Sequence, residues 1–191
     1  MIEELLTYDT QLFQYLNQLG TPTWDRFWQI VTLKWSSIPL YIALLVLIYK
    51  ELGLKMTLYI LLLIAILITC SDQLANLFKY GIKRPRPCQV ESLQETIRFV
   101  AVRCGRYGFY SAHAANSMAV AVFVSLLLRS RYAYLPLILM VWAVTVAYSR
   151  IYLGVHYPLD IFTGMFFGSL LGGLFYGIWK LLSARLSRNN I

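Results

Sequence analysis

Residues 56–79 read MTLYILLLIAILITCSDQLANLFK. No charged side chain falls between Met56 and Cys70, and the run closes on Asp72, Asn76 and Lys79. As a helix rising about 1.5 Å per residue, such a stretch crosses a hydrocarbon core of about 30 Å. Lipid offers a peptide group no hydrogen bond, so a crossing chain must satisfy its own backbone as a helix or a closed barrel. Strand-like alternation persists nowhere in this chain, which leaves helices. The run therefore decides the fold class: all-α, an integral membrane helical bundle.

Reading outward from it, the spacing predicts five transmembrane helices. The first runs from about Asp25 to Tyr49 with Lys34 early in it, followed by a turn at Lys50–Lys55. The second is the quoted run, and residues 80–109 form a loop rich in Arg, Pro and Gly. The third spans Ser111–Leu128, with a tight turn at Arg129–Arg131, and the fourth Tyr132 to about Ile151. A connection holding Gly154 and His156 leads into the last, Pro158 to about Leu182, and a basic tail at 183–191. Ahead of them, Leu5, Leu6, Leu12, Phe13, Leu16 and Leu19 recur at helical spacing. Residues 1–20 thus read as an interfacial amphipathic helix ended by Gly20 and Pro22. No signal peptide is expected, since Glu3, Glu4 and Asp9 stand where a basic start and an apolar core belong. The whole, 1–191, reads as one membrane domain.

The totals agree. Of 191 residues, 14% are charged, against roughly a quarter in ordinary soluble domains, and mean hydropathy is +0.60. A net charge of +8 would suggest nucleic acid in a soluble protein. Here the cations sit mainly in loops between spans, and no basic stretch interleaved with aromatics serves a nucleic acid. Anionic lipid or a phosphorylated substrate is the expected partner. The short turns at Lys50/Lys55 and Arg129/Arg131 and the tail with Lys180, Arg185 and Arg188 fall on one side, read as cytoplasmic by the positive-inside rule. The 80–109 loop and the His156 connection then face outward.

Gly164, Gly168 and Gly172 on the last span, and Ala112, Ala115 and Ala119 on the third, are small-xxx-small faces for close helix packing. Cys70 reads as a small core residue. Cys88 and Cys104 share the long loop and can form a disulfide if it faces an oxidising compartment; two free thiols are the alternative.

Three polar clusters edge the apolar runs. His156 and Asp160 lie four residues apart across a helix start at Pro158, so the carboxylate can hold one ring nitrogen and sharpen the other as a nucleophile. Ser149 and Arg150 end the preceding helix. Ser111 caps the third span, whose first turn, with Ala112, offers unpaired N–H groups to an anion, and His113 stands there as a proton donor. Lys79 ends the second span and Arg86-Pro87 follows; Arg gives a planar fork to phosphate and Lys a point charge. Lys83 and Arg84 read as headgroup-facing cations. Asn116, one turn below Ser111, reads with Ser149 as support for the pocket, and Asp72 as a structural partner inside the bundle. Snorkelling or a substrate headgroup accounts for Lys34.

The order and spacing resemble the tripartite signature of the type 2 phosphatidic acid phosphatase (PAP2) superfamily: Lys79, six residues, Arg86-Pro87; Ser111-x-His113; Ser149-Arg150, five residues, His156, three residues, Asp160. The middle motif departs from the usual Pro-Ser-Gly-His, with Tyr110 and Ala112 in place of Pro and Gly. The resemblance implies a cofactor-free and metal-independent lipid phosphatase. In it, catalytic His156 forms a phosphohistidine, Asp160 orients it and His113 protonates the leaving group. Lys79, Arg86, Ser111, Ala112 and Arg150 hold the phosphate. The expected substrate is a membrane lipid phosphomonoester or pyrophosphate, and the expected place a bacterial inner membrane with the site facing the periplasm. Alternatives are a lipid phosphotransferase using the same intermediate, and a non-catalytic membrane anion-binding or carrier protein.

Overall fold

The computed structural model describes residues 1–188, save the side chains of Lys34 and of residues 186–188. The role expected of Lys34 and the tail residues 189–191 therefore lie outside the described residues. The described chain forms six α-helices and no strand: α1 Ile2–Gln18, α2 Pro22–Val31, α3 Ile38–Ile82, α4 Ala112–Leu128, α5 Leu135–Tyr152 and α6 Pro158–Arg188. Three helical segments are long and apolar enough to cross a membrane: 35–82, 135–152 and 158–185. Helix α4 is apolar but shorter.

Helix α3 carries two of the expected spans. Its 45 residues would extend about 68 Å if straight, more than twice a hydrocarbon core. It is broken at Gly53, whose φ of 75° and ψ of 172° are non-helical and which a Cβ would strain. The two arms pack together, Leu44 and Ile48 of the first sharing a cluster with Ile60, Leu63 and Leu67 of the second.

The first span does not begin at Asp25. Residues 22–31 are a separate helix, and the chain turns at Leu33, which is extended (ψ 138°). Polar ties hold α2 against the 83–110 loop: Asp25 pairs with Arg98 at 2.9 Å and Gln29 donates to the Val100 carbonyl at 3.0 Å. Trp28 wedges between Tyr148 and Tyr152 of α5, with ring centroids 5.1 and 5.3 Å away.

Helix α4 lies at the centre, with buried residues on most of its circumference. It meets α6 along the expected small-residue face: a methyl at Gly164, Gly168 or Gly172 would collide with α4 backbone at Ser111, Ala115 or Ala119. Those glycines let the two helices approach and so set the height of the α6 start against the α4 start.

One expectation about faces is corrected. Cys70 is exposed on the outer side of α3, because the lipid-facing side of a membrane helix is as apolar as its core. On α1, Leu5, Leu6, Leu12 and Leu19 are exposed, while Asp9, Phe13 and Asn17 form the buried stripe. Asn17 Nδ2 donates to the carbonyls of Arg98, Ile151 and Tyr152, each at 3.0 Å, and Oδ1 accepts from Arg98 N at 2.7 Å. Phe13 meets the Tyr157 ring edge-on at 5.3 Å.

Candidate active site

Helix α5 ends at Tyr152, and Gly154 (φ 78°) takes the left-handed conformation that stops it, with Val155 N donating back to the Arg150 carbonyl at 3.1 Å. A side chain at Gly154 would also strike the Arg98 carbonyl. This turn drops His156 into the interior just before Pro158 opens α6. His156 is 2% exposed and Asp160 fully buried. One turn of helix brings Asp160 Oδ2 to 3.2 Å from His156 Nδ1, where the carboxylate accepts the ring N–H. The same oxygen accepts from Tyr157 N at 3.1 Å. With Nδ1 so engaged, Nε2 is the nitrogen left with a lone pair.

The imidazole is held far below its ordinary pKa, first by burial and then by the positive charges of Arg86, Arg150 and Lys79. Those three cations thus converge on it from the 83–110 loop, the end of α5 and the end of α3. Arg86 is aimed by a clasp in the loop. Pro85 bridges Tyr107, Arg86 N donates to the Arg106 carbonyl at 3.3 Å, and Gly108 N donates to the Arg84 carbonyl at 2.9 Å. Arg86 Nε donates to the Tyr107 carbonyl at 3.0 Å. Cys88 and Cys104 are joined by a disulfide beside this clasp. Arg150 donates to Thr32 Oγ1, while its buried Nε has no hydrogen-bond partner among the described residues.

The start of α4 joins the same place: Ser111 N donates to the Asp160 carbonyl at 3.0 Å, and the Ser111 hydroxyl caps Ala114 N at 3.5 Å. Tyr110, in the usual place of a proline, is fully buried and stacks on Phe167 of α6 at 5.7 Å. Burial raises its phenol to about 12, so it acts as an uncharged wedge under the helix start. Ala112 and His113 line a cavity of about 330 Å³ with Thr32, Asp72, Asn116 and Trp142. Asn116 donates to Asp72 Oδ1 at 2.8 Å, tying α4 to α3 at its wall. The Ser149 hydroxyl turns to its own helix, donating to the Val146 carbonyl at 2.6 Å, rather than into the pocket. No group of three or more side chains suited to a metal stands together among the described residues.

Arg84 corrects the sequence reading. Lys83 is exposed, but Arg84 is partly buried, its side chain 13% exposed, and spans two carboxylates, with Asp160 Oδ1 at 3.2 Å and Asp9 Oδ2 at 2.6 Å. Its guanidinium also lies 3.9 Å above the Tyr157 ring. Neither Asp9 nor Gly108 was anticipated. Gly108 packs so closely that a Cβ would lie 3.0 Å from Asp160 Oδ2, 3.1 Å from Arg86 Cγ and 3.6 Å from His156 Nδ1.

Comparison with known proteins bears on what this arrangement is. The chain is 38% identical over 189 residues to a lipid A 4'-phosphatase of Bacteroides thetaiotaomicron, covering 97% of this chain and 83% of that protein. It is 30% identical over 188 residues to a lipid A 4'-phosphatase of Porphyromonas gingivalis, covering 96% and 78%. Its fold is similar to the crystal structure of a transmembrane PAP2-type phosphatidylglycerolphosphate phosphatase from Bacillus subtilis. That match has a TM-score of 0.72 at 20% identity and covers 92% of this chain and 86% of that one. The PAP2 superfamily's sequence pattern matches residues 54–183, which take in the Lys79–Arg86, Ser111–His113 and Arg150–Asp160 stretches, and the chain belongs to that superfamily.

Proposed function

We propose that this protein is a metal-independent lipid phosphatase that removes a phosphate from a lipid A-type glycolipid at the outer face of a bacterial inner membrane. The observation that carries the chemistry is a buried, uncharged His156 with Nδ1 fixed by Asp160 and three cations around it. The substrate class rests on two relatives, matched over nearly the whole chain, that are named for lipid A.

In the first step His156 Nε2 attacks phosphorus, the N–P bond forms and the P–O bond to the lipid breaks. His113 gives its proton to the departing oxygen. In the second step His113 takes a proton from water, the oxygen attacks phosphorus, and the N–P bond breaks to release inorganic phosphate. Charge builds on the equatorial oxygens in both steps. Lys79, the forks of Arg86 and Arg150, and the Ser111 end of α4 stabilise it in a site already organised before substrate arrives. Arg150 Nε, buried without a partner among the described residues, is a donor suited to such an oxygen.

The test is phosphate release by the purified protein from lipid A, phosphatidate, phosphatidylglycerol phosphate and a polyprenyl diphosphate. Lipid A is expected to be the best substrate, with turnover unchanged by EDTA and lost in His156→Ala. Equal turnover by His156→Ala overturns the mechanism, and preference for another lipid overturns the substrate class.

A further inference from the structure

Asp9 is a conspicuous buried anion on a helix whose other acidic residues, Glu3 and Glu4, are exposed. It lies outside the 54–183 stretch that defines the superfamily. Both of its oxygens are used. Oδ2 takes Arg84 Nη2 at 2.6 Å, and Oδ1 accepts from Leu159 N at 2.8 Å, in the first turn of α6 and next to Asp160. Arg84 Nη1 reaches Asp160 Oδ1 at 3.2 Å, and Asp160 Oδ2 holds His156. A continuous chain of charge-assisted bonds therefore runs Asp9–Arg84–Asp160–His156, from an N-terminal helix to the reacting imidazole.

We infer that Asp9 and Arg84 are positioning residues for the phosphoryl-transfer step, which makes α1 a working part of the active site. The inference rests on the proposed role of His156 as nucleophile. A guanidinium has two forks to offer. Shared between two carboxylates, Arg84 pins one Asp160 oxygen while leaving that carboxylate enough charge to hold the His156 N–H. Without the Asp9 charge, Arg84 has a single anion to face. It then draws Asp160 toward itself and loosens the ring whose angle sets the line of attack. Docking of α1 does not need Asp9: Phe13 packs on Tyr157, and Asn17 bonds three carbonyls. Asp9→Asn thus changes the charge with little change in the seat of the helix.

The measurement is steady-state kinetics on the full chain in detergent with lipid A, alongside the melting temperature. Asp9→Asn is expected to lower kcat roughly tenfold to a hundredfold, the range a misplaced reacting group costs, with KM within about twofold of the parent. Asp9→Glu is expected to recover most of kcat, and Glu3→Gln on the same helix to change nothing. Parental kcat in a folded Asp9→Asn protein overturns the inference, as does a loss confined to KM. If Asp9→Asn does not fold, the double variant Asp9→Asn/Arg84→Gln removes both members of that pair and leaves Asp160 its bonds to His156 and Tyr157 N. It is expected to fold with low kcat, and parental kcat in it overturns the inference. His156→Ala in the same assay separates the two ideas. If it is active, the reading of the site fails; if it is dead while Asp9→Asn is fully active, only this inference fails.

Discussion

A single residue, His156, is proposed to carry the chemistry, and its protonation state is the property most open to measurement. The chain has two histidines, so His113→Gln leaves one imidazole to observe. An ordinary histidine titrates near 6.5. Burial and three cations push His156 well below that. Nitrogen NMR of labelled His113→Gln protein is expected to show a neutral ring at pH 6.5 with the proton on Nδ1, and a midpoint at or above 6.5 contradicts the geometry. The sign of the linked stability follows. Below about 6.5 the unfolded chain binds a proton that folded His156 refuses, so stability falls with pH from there down to the folded value and levels off below it. At this scale the sequence was legible where spacing alone defines a contact: His156 and Asp160 sit one helical turn apart. It was not legible for Arg84, because a cation in a basic loop reads the same whether it meets headgroups or a buried carboxylate some 75 positions away. Asp9 was hidden for the same reason, its partner being set by tertiary docking rather than by anything local.

At the scale of elements, the 83–110 loop depends most on a covalent tie. It has little helix and carries Arg86 into the site through an isolated bridge and a few backbone bonds. The Cys88–Cys104 disulfide, at a separation of 16, closes a loop whose constraint is worth about 3 kcal/mol in the chain-entropy model. Cys88→Ser/Cys104→Ser is expected to melt earlier and to lose kcat/KM for lipid A. Reductant should reproduce both effects in the parent and have none in the variant. Unchanged melting and activity in the double variant would show that the clasp stands without the tie. The helices themselves were read well from their apolar runs, and the α4–α6 contact from its small residues. The start of the first span was misread because Phe27, Trp28, Ile30 and Val31 run on into the apolar stretch that follows, although Asp25, Arg26 and Gln29 make residues 22–31 less apolar than a crossing helix. What keeps them at the surface is the Asp25–Arg98 and Gln29–Val100 pairing with a distant loop, which no local pattern announces.

Taken whole, the molecule has two unlike ends. At one, the starts of α4 and α6 and the ends of α5 and α3 bring the polar clusters together. At the other, the turn after α4 meets the break in α3: Arg131 pairs with Glu51 at 3.5 Å, and Tyr132 donates to the same carboxylate at 2.8 Å. Short loops rich in Lys and Arg mark the cytoplasmic side, and Lys50, Lys55, Arg129 and Arg131 all lie near that second end. The loop at the site is also basic, and Lys83, Arg103 and Arg106 are exposed, but three of its cations are spent inward: Arg84 on two carboxylates, Arg86 on the pocket and Arg98 on Asp25. A cation committed to the protein is a poor witness to orientation, so the short turns decide, and the site is proposed to face the periplasm. With Cys70 changed to Ser, single cysteines at Lys55 and at Ser92 in intact cells test this. A membrane-impermeant maleimide is expected to label Ser92→Cys and to reach Lys55→Cys only after the cells are opened. The reverse pattern would place the phosphate pocket in the cytoplasm, where a disulfide at Cys88–Cys104 would not persist.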